Sequence, residues 1–311
     1  MNGVYEKVLN AMMSMTRQCW EQGVLAQALM ECGEEEKLEV VIHDMILRQS
    51  SDGRLCNVEN TPAVTDSAFC IPAVLVTGRK KENQAYLEAA EKNIQFLLKE
   101  AEHAQDGTLF HIIHTEEIWA DSASYMPYSL ALAGHYKEAF VQMEGITSRL
   151  YDENSGLYFH MWNEKDQTYL RALPWGVGNG WILTGLMRTL LVWDDSFAEE
   201  KQQMERRFYN LLERMLAYET ENHGFHDILD DASTFEESET AAMVAYTIYR
   251  GVKEGMVDEK LLNRADQIRD ALLKKITPLG LVMDASSSPM FDRPGTAVEC
   301  QAHVLMMEKW R

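Results

Sequence analysis

The chain has 311 residues, of which 46% are hydrophobic and 25% are charged, so it has ample apolar material for a large core. Its formal net charge is -20, with 49 acidic against 29 basic residues, which argues against nucleic acid as a partner because phosphate binding needs lysine and arginine. No apolar run approaches membrane-spanning length, and the N-terminus shows no basic segment followed by an apolar block. We therefore expect a cytoplasmic protein with neither a nucleic-acid nor a membrane partner.

A turn built on glycine recurs along the chain, at Gly53, Gly107, Gly156, Gly224 and Gly280. Such glycines are typical of helix C-termini and tight turns. They stand 49 to 68 residues apart, which is the length of two helices with their connections. The spacing therefore predicts a repeated helical hairpin.

Amphipathic periodicity predicts two classes of helix that alternate along the chain. Helices with one charged face are expected at 2–14, 34–50, 82–100, 135–150, 198–218 and 258–275. Helices poor in charge and rich in alanine, methionine and aromatic residues are expected at 16–31, 66–78, 121–134, 179–193, 238–251 and 296–309. Six outer and six inner helices predict an all-α fold, an (α/α)6 barrel of six helical hairpins, with residues 1–311 forming a single domain.

In such a barrel all inner helices begin at the same end, so the segments that precede them should converge on one pocket. Converging helix N-termini favour an anionic ligand. These segments are also rich in aromatic residues, namely Phe110, Trp119, Tyr125, Tyr158, Phe159, Trp162, Trp175, Trp181 and Phe225. Aromatic faces beside acids and histidines are a common sugar-binding surface, so we expect a saccharide pocket.

Asp66 and Asp121 occupy equivalent places in two repeats, because each opens the triplet Asp-Ser-Ala and is followed six positions later by proline. Two carboxylates close together in a partly desolvated pocket raise each other's proton affinity. One of them can then be protonated near neutral pH and act as a general acid. The alternative is that both are plain N-caps of their helices.

The segment Trp175-Gly-Val-Gly-Asn-Gly-Trp181 sets three glycines between two indoles. It suits a ligand that approaches the backbone closely, or else a rigid loop that packs both indoles into the core. His160 follows Gly156 by four positions, where a neutral imidazole can bond a hydroxyl or carboxylate. His111 follows its own turn glycine in the same way and is a weaker candidate.

Metal and redox sites are not expected from the cysteine and histidine pattern. The five cysteines are scattered and never form Cys-x-x-Cys, so we expect them to be reduced and mostly buried. There is no His-Glu-x-x-His and no cluster of Cys and His with zinc spacing. The glycine motif follows no strand and fits no dinucleotide fingerprint. We therefore expect no metal, nucleotide or redox cofactor.

The motifs, taken in order, resemble glycoside hydrolase family 105, the unsaturated rhamnogalacturonyl hydrolases, which are related to the unsaturated glucuronyl hydrolases of family 88. The similarity rests on Trp119-x-Asp121 with Tyr125-Met126, Gly156-Leu-Tyr-x-His160, the motif from Trp175 to Trp181, residues 235–243 with Ser238, and the terminal helix after Gly295-Thr296. The family's (α/α)6 barrel agrees with the fold that the repeats predict.

The resemblance implies that Asp121 is the catalytic general acid/base and Asp66 its acidic partner. It gives His160, Trp175 and Trp181 substrate-binding roles. We expect the same of three other residues in or beside these motifs, Trp119, Tyr125 and Asn179.

One position departs from the family's pattern. Family members typically carry an arginine where this chain has Val177, and that arginine is expected to help hold the substrate. The loss of a bidentate guanidinium beside a uronate carboxylate is not conservative. Either another cation compensates, with Arg171 the nearest in sequence, or the substrate differs.

The reaction that the resemblance implies is hydration of a vinyl ether. A 4,5-unsaturated uronic acid would leave the nonreducing end of a small oligosaccharide made by a polysaccharide lyase, of rhamnogalacturonan or pectin type. The alternatives are a hydrolase of saturated uronides or other glycosides with the same acid pair, and a noncatalytic sugar-binding protein. The exact sugar, the linkage and the oligomeric state stay open.

Overall fold

The computed structural model describes residues 2–57 and 62–311, and this part of the chain is mainly helical. Its α-helices are α1 (Asn2–Met15), α2 (Cys19–Cys32), α3 (Glu35–Leu47), α4 (Ile71–Lys80), α5 (Gln84–Lys99), α6 (Ser122–Leu132), α7 (Tyr136–Leu150), α8 (Gly176–Leu191), α9 (Ala198–Ala217), α10 (Ser238–Lys253), α11 (Leu262–Leu273) and α12 (Val298–Trp310). A 3-10 turn, Asp66–Phe69, precedes α4, and another, Glu259–Leu261, precedes α11.

The even-numbered helices form a closed inner ring. Each packs against the next, in the order α2, α4, α6, α8, α10 and α12, and α12 returns to α2. Each outer helix packs against one inner helix: α3, α5, α7, α9, α11 and α1 cover α2, α4, α6, α8, α10 and α12 respectively. This arrangement confirms the predicted (α/α)6 barrel.

Burial follows the two predicted helix classes. The inner helix α8 buries every residue from Gly176 to Leu190, as expected for a sequence that is apolar on all sides. The outer helix α9 buries one face only, through residues spaced three or four apart, such as Met204, Phe208 and Leu211. The core therefore lies between the two rings and inside the inner one.

Short antiparallel strands lie in the connections that precede the inner helices. They are β1 (Glu117–Trp119), β2 (Tyr151–Asp152), β3 (Leu157–Tyr158), β4 (Met161–Asn163), β5 (Thr168–Arg171), β6 (Phe225–His226), β7 (Glu236–Glu237), β8 (Ala285–Ser287) and β9 (Met290–Gly295). Strand β4 pairs with both β1 and β5, with Trp119 opposite Met161. Strands β8 and β9 form a hairpin. Two to six residues are too few for alternation to reveal a strand in the sequence.

Helix α8 begins at Gly176, three residues before the predicted start, so the glycine motif is helical rather than a loop. A Cβ on Gly176 would lie 2.6 Å from Thr240 Oγ1, and one on Gly180 would collide with Met243 Sδ. These glycines let α8 approach α10 closely. The expectation that they admit a ligand to the backbone is therefore corrected.

Two further observations concern the cysteines and the helix lengths. All five cysteines are free; four are buried and Cys32 is partly buried. Within the described residues, the helices are too short or too polar to span a bilayer.

Candidate active site

A pocket opens at the end of the barrel where the inner helices begin, and all six contribute to it. The contributing residues lie in the first turn of each helix or just before it: Trp20, Asp66, Asp121, Val177, Glu239 and Glu299. The hairpin of β8 and β9 adds Ser286 and Phe291 to the rim. The cavity measures about 200 Å³. This is below the roughly 300–1,000 Å³ of pockets for drug-sized ligands, so it suits one sugar residue better than an oligosaccharide.

Asp66 and Asp121 both line this pocket, on neighbouring members of the inner ring. Asp121 stands directly before α6 with helical backbone angles, and its side chain makes no capping hydrogen bond. Asp66 is the first residue of its 3-10 turn, whose cap position is Thr65. The carboxyl groups therefore face the cavity, and the interpretation of the pair as plain N-caps is wrong.

A chain of donors leads to Asp121. The guanidinium of Arg171 donates from Nη1 to His160 Nδ1 over 2.7 Å, and His160 Nε2 lies 3.2 Å from Asp121 Oδ2. Arginine can only donate, so Nδ1 must accept and the proton of the neutral imidazole sits on Nε2, pointing at Asp121. His160 is fully buried. His160 was predicted to bind substrate, but in the structure it lies behind Asp121 and does not line the cavity.

The two aspartates have opposite proton affinities. Burial is the largest influence on the pKa of Asp121 and would raise it, but the hydrogen bond from His160 and the smaller electrostatic effects of His160 and His111 together leave that pKa below its ordinary value. Burial, followed by the negative charges of Asp121 and Glu299, raises the pKa of Asp66 to about 7. Just below pH 7 Asp66 therefore carries a proton, while Asp121 is ionised.

His111 lies beside the pair. Its Nε2 is 3.7 Å from Asp66 Oδ1, and its Nδ1 is within hydrogen-bond distance of the hydroxyls of Thr65 and Ser122. Burial lowers the pKa of His111 to about 4, so the ring is neutral. It stacks on Trp119 with ring centroids 4.3 Å apart. The sequence ranked His111 below His160, yet His111 is the one that lines the cavity.

Three of the predicted aromatic residues, Trp119, Trp175 and Trp181, line the pocket. Trp175 is held rigidly, because its Nε1 donates to Asp227 Oδ1 and to Ser286 Oγ. This links α8 to the β8–β9 hairpin and fixes the rim.

Two predicted substrate-binding residues lie in the core instead. Asn179 is fully buried, and its amide bonds the backbone of Tyr158 and Trp175, so it fastens β3 to the start of α8. Tyr125 is fully buried under Phe69, with the guanidinium of Arg188 4.7 Å from its ring centre. Both were expected to contact substrate because they lie in the shared motifs, but adjacency in sequence does not say which way a side chain points.

Sequence reasoning assigned no role to Glu239 or Glu299, which also line the pocket. Glu299 accepts a hydrogen bond from Trp20 Nε1 over 2.6 Å, and burial raises its pKa to about 7. Burial and the charge of Glu299 raise the pKa of Glu239 well above its ordinary value. Both are the second residue of an inner helix, so the repeat could have found them. Acidic residues are common in the first turn of any helix because they interact favourably with the helix dipole. Two more such residues therefore do not stand out in the sequence as pocket residues.

Among the described residues, no group of three or more His, Cys, Asp or Glu side chains is arranged to hold a metal ion. The site instead combines a helical barrel, an aromatic-lined pocket, and a carboxyl pair with one member protonated and one ionised. These are the features of a glycoside hydrolase with two acidic residues.

The family model of Glycosyl Hydrolase Family 88 matches residues 2–290, and the chain belongs to that family. A curated relative, the unsaturated rhamnogalacturonyl hydrolase YesR of Bacillus subtilis (strain 168), is 23% identical over 176 residues. That alignment covers 52% of this chain and 51% of the relative, so it spans about half the length of that protein.

Solved structures share the fold over nearly the whole chain. A possible member of family GH105 from Salmonella enterica superposes with a TM-score of 0.86 at 17% identity, covering 99% of this chain and 92% of that one. A family 105 glycoside hydrolase from C. acetobutylicum gives a TM-score of 0.81 at 15% identity, with 98% of each chain covered. An unsaturated glucuronyl hydrolase specific for heparin gives 0.73 at 10% identity, covering 99% and 95%. At these identities the likeness shows the fold alone.

Proposed function

We propose that the protein removes a 4,5-unsaturated uronic acid from the nonreducing end of a small oligosaccharide released by a polysaccharide lyase, of rhamnogalacturonan or pectin type. The observation that carries the proposal is the carboxyl pair, with Asp121 ionised and Asp66 protonated on neighbouring inner helices of one pocket. Family membership and the name of the curated relative support the reaction class, and that name also favours rhamnogalacturonan.

The chemistry is hydration of the C4=C5 double bond. A proton adds to C4, the oxygen of a water molecule adds to C5, and the second proton of that water returns to the enzyme carboxylate. The hemiketal at C5 then opens, and the aglycone leaves C1 as an alcohol. Only one molecule of water is consumed.

Asp121 is the group that exchanges protons with the substrate. In the empty pocket the shared proton rests on Asp66. A bound uronate brings another negative charge beside Asp121, which raises the proton affinity of Asp121 and draws the proton to it. Asp121 then protonates C4 and, as a carboxylate again, activates water for attack at C5. The hydrogen bond from His160 Nε2 keeps Asp121 Oδ2 in place throughout the reaction.

The substrate carboxylate needs a positive partner, although Val177 stands where the family typically has arginine. Arg171 supplies a guanidinium 5.5 Å from the centre of the Trp175 ring, and its donors already point to His160 and to the carbonyl of Phe291. The position of Arg171 favours the interpretation that it compensates for the arginine that is absent at Val177.

A substrate panel tests the proposal. Purified protein is incubated with lyase-generated unsaturated disaccharides from rhamnogalacturonan, other pectins and glycosaminoglycans, beside saturated aryl glycosides. We expect the ultraviolet absorbance of the conjugated alkene to decline with at least one unsaturated substrate, fastest with those from rhamnogalacturonan. Turnover of saturated glycosides alone would replace the proposal with ordinary glycoside hydrolysis, and binding without any turnover would indicate a sugar-binding protein.

A further inference from the structure

A series of ring contacts leads from the pocket into the interior of the barrel. Phe69 lines the pocket and stacks on Tyr125, with ring centroids 4.4 Å apart. The guanidinium of Arg188 lies 4.7 Å from the centre of the Tyr125 ring and 5.4 Å from the centre of the Tyr246 ring. Helices α6, α8 and α10 supply the tyrosines and the arginine, so the contacts cross from one inner helix to the next.

The second aromatic residue of the pocket that depends on these contacts is Trp181. Its ring meets those of Phe69, Tyr125 and His303 edge-on, at centroid distances of 5.7, 6.4 and 5.2 Å. Tyr125 therefore contacts both Phe69 and Trp181, although it is itself buried away from the cavity. A shift of the Tyr125 ring would move both pocket residues.

Arg188 is a cation in an unusual place. It stands in the last turn of α8, where a positive charge is favoured by the helix dipole, but it is only 1% exposed. Its guanidinium contacts Tyr125, Tyr246 and Met306, which belong to three other inner helices. The side chain therefore points into the barrel and not towards solvent.

The burial of this charge needs a compensating interaction. A buried guanidinium costs free energy unless its surroundings offset the loss of hydration. The nearby carboxylate of Glu31 pairs with Arg250 instead of Arg188. The faces of Tyr125 and Tyr246 attract a cation, and this attraction is strongest where water is excluded. The geometry therefore indicates that the charge and the two rings hold one another in place.

We propose that Arg188 is a positioning residue for the sugar pocket. Its charge holds the face of Tyr125, and Tyr125 in turn fixes Phe69 and Trp181 against the bound sugar ring. The inference rests on the proposed function and adds to it a residue that lies away from the reacting atoms. Aromatic residues that contact the sugar do so before and during the reaction, so their displacement should weaken binding more than it slows the chemical step.

Two substitutions of Arg188 test the proposal by steady-state kinetics on an unsaturated disaccharide. Arg188→Met keeps the length of the side chain and removes its charge, so we expect KM to rise on the order of tenfold, with a much smaller change in kcat. Arg188→Lys restores a cation, and its KM should be close to that of the parent. Equal KM values for the parent and the Met variant would overturn the inference, and so would a Lys variant that behaves like the Met variant.

Arg250→Met is the matched control. Arg250 is the other arginine of this cluster, but it bonds Glu31 and packs on Trp310, 4.8 Å from the ring centre, instead of Tyr125. Its removal can lower thermal stability, and we expect it to leave KM unchanged. An equal rise of KM in the Arg188→Met and Arg250→Met proteins would show a general loss of stability and contradict the positioning role.

Circular dichroism in the near ultraviolet tests the same inference without turnover. Arg188→Met should weaken the tryptophan signal, and this change should be absent when Trp181→Phe is the background. Tyr125→Phe keeps the ring and removes a hydroxyl that has no hydrogen-bond partner among the described residues, so its signal should match that of the parent. If the parent turns over no unsaturated disaccharide, the proposed function fails, and the spectrum decides the inference: an unchanged signal in Arg188→Met overturns it. If Arg188→Met does not fold, a changed signal in Arg188→Lys or Tyr125→Phe overturns it, and parent-like signals in both support it.

Discussion

Asp121 owes its position and charge to a single line of hydrogen bonds. Arg171 fixes the tautomer of His160, and His160 donates to Asp121, which keeps that carboxyl ionised beside a protonated Asp66. Two carboxyl groups of the same kind thus take different protonation states because their surroundings differ. The residues around each carboxyl group determine which of the two aspartates is protonated, and matching sequence motifs does not reveal those residues.

The first prediction concerns Asp121 itself. Asn at this position keeps the shape and still accepts from His160, but it neither gives nor takes the proton, so we expect Asp121→Asn to lower kcat by about 100-fold or more. Steady-state loss of alkene absorbance measures it. The exposed Asp230→Asn serves as control for the removal of one charge. Unimpaired turnover by the Asp121 variant would remove this residue from the mechanism.

The second prediction is a pH dependence. The active form of the pair carries one proton, and that proton is on Asp66, whose pKa is raised to about 7. As pH rises through this value Asp66 is deprotonated, so kcat/KM for the unsaturated substrate should fall tenfold per pH unit on the alkaline side. A profile that stays flat to pH 9 would contradict the one-proton pair.

At the scale of elements, close packing between inner helices fixes the pocket. A Cβ on Gly185 would clash with the carbonyl of Ala123 across the contact of α8 with α6. Asp121 stands just before α6, so the spacing of these two helices sets where its carboxyl group points. The small residues of α8 therefore influence the position of the Asp121 carboxyl group, because they set how closely α8 packs against α6.

The third prediction follows from that contact. Gly185→Ala must push α6 and α8 apart, so we expect a loss of about 1–3 kcal/mol in the free energy of unfolding together with a lower kcat. Thermal and urea unfolding measure the first effect. Gly3→Ala, where the added methyl group meets nothing within 4 Å, is the control. Equal stability of the two variants would show that α8 is not tightly packed there.

The helices and their alternation were predictable because the amphipathic period shows which helix faces are buried, and the turn glycines mark where one hairpin ends and the next begins. Asp66 and Asp121 were found because they repeat at equivalent helix starts. The start of α8 was placed too late because glycine has low helix propensity, and only contacts with α10 make those glycines helical. Tyr125 and Asn179 were misplaced because side-chain direction depends on the packed barrel, which a single sequence does not give.

At the scale of the whole molecule, the barrel gathers acidic groups at the positive ends of its inner helices. Asp66, Glu237, Glu239 and Glu299 are all buried, and burial raises the pKa of each. The folded state binds protons more tightly than the unfolded chain at these positions. Their contribution to stability is therefore fully present below the unfolded pKa and is lost as pH rises through the folded pKa.

The fourth prediction isolates one of these groups. Glu299→Gln removes an ionisation that folding disfavours, while its amide oxygen can still accept from Trp20. The variant should be more stable than the parent above pH 7, by on the order of 3 kcal/mol, and this gain should shrink to nothing near pH 4.5. Thermal unfolding from pH 4.5 to 8 measures it, with the exposed Glu36→Gln as control. A gain that does not depend on pH would contradict the raised pKa.

The central claim is that the substrate is hydrated at its double bond by the carboxyl pair. Turnover of an unsaturated disaccharide in heavy water, followed by NMR or mass spectrometry at early times, tests it most directly. We predict one deuterium at C4 of the released sugar, disappearance of the alkene in step with release of the aglycone, and neither event with the Asp121→Asn protein. Release of a sugar that keeps its double bond and carries no deuterium at C4 would contradict the account, because the glycosidic bond would then be cleaved at C1 directly.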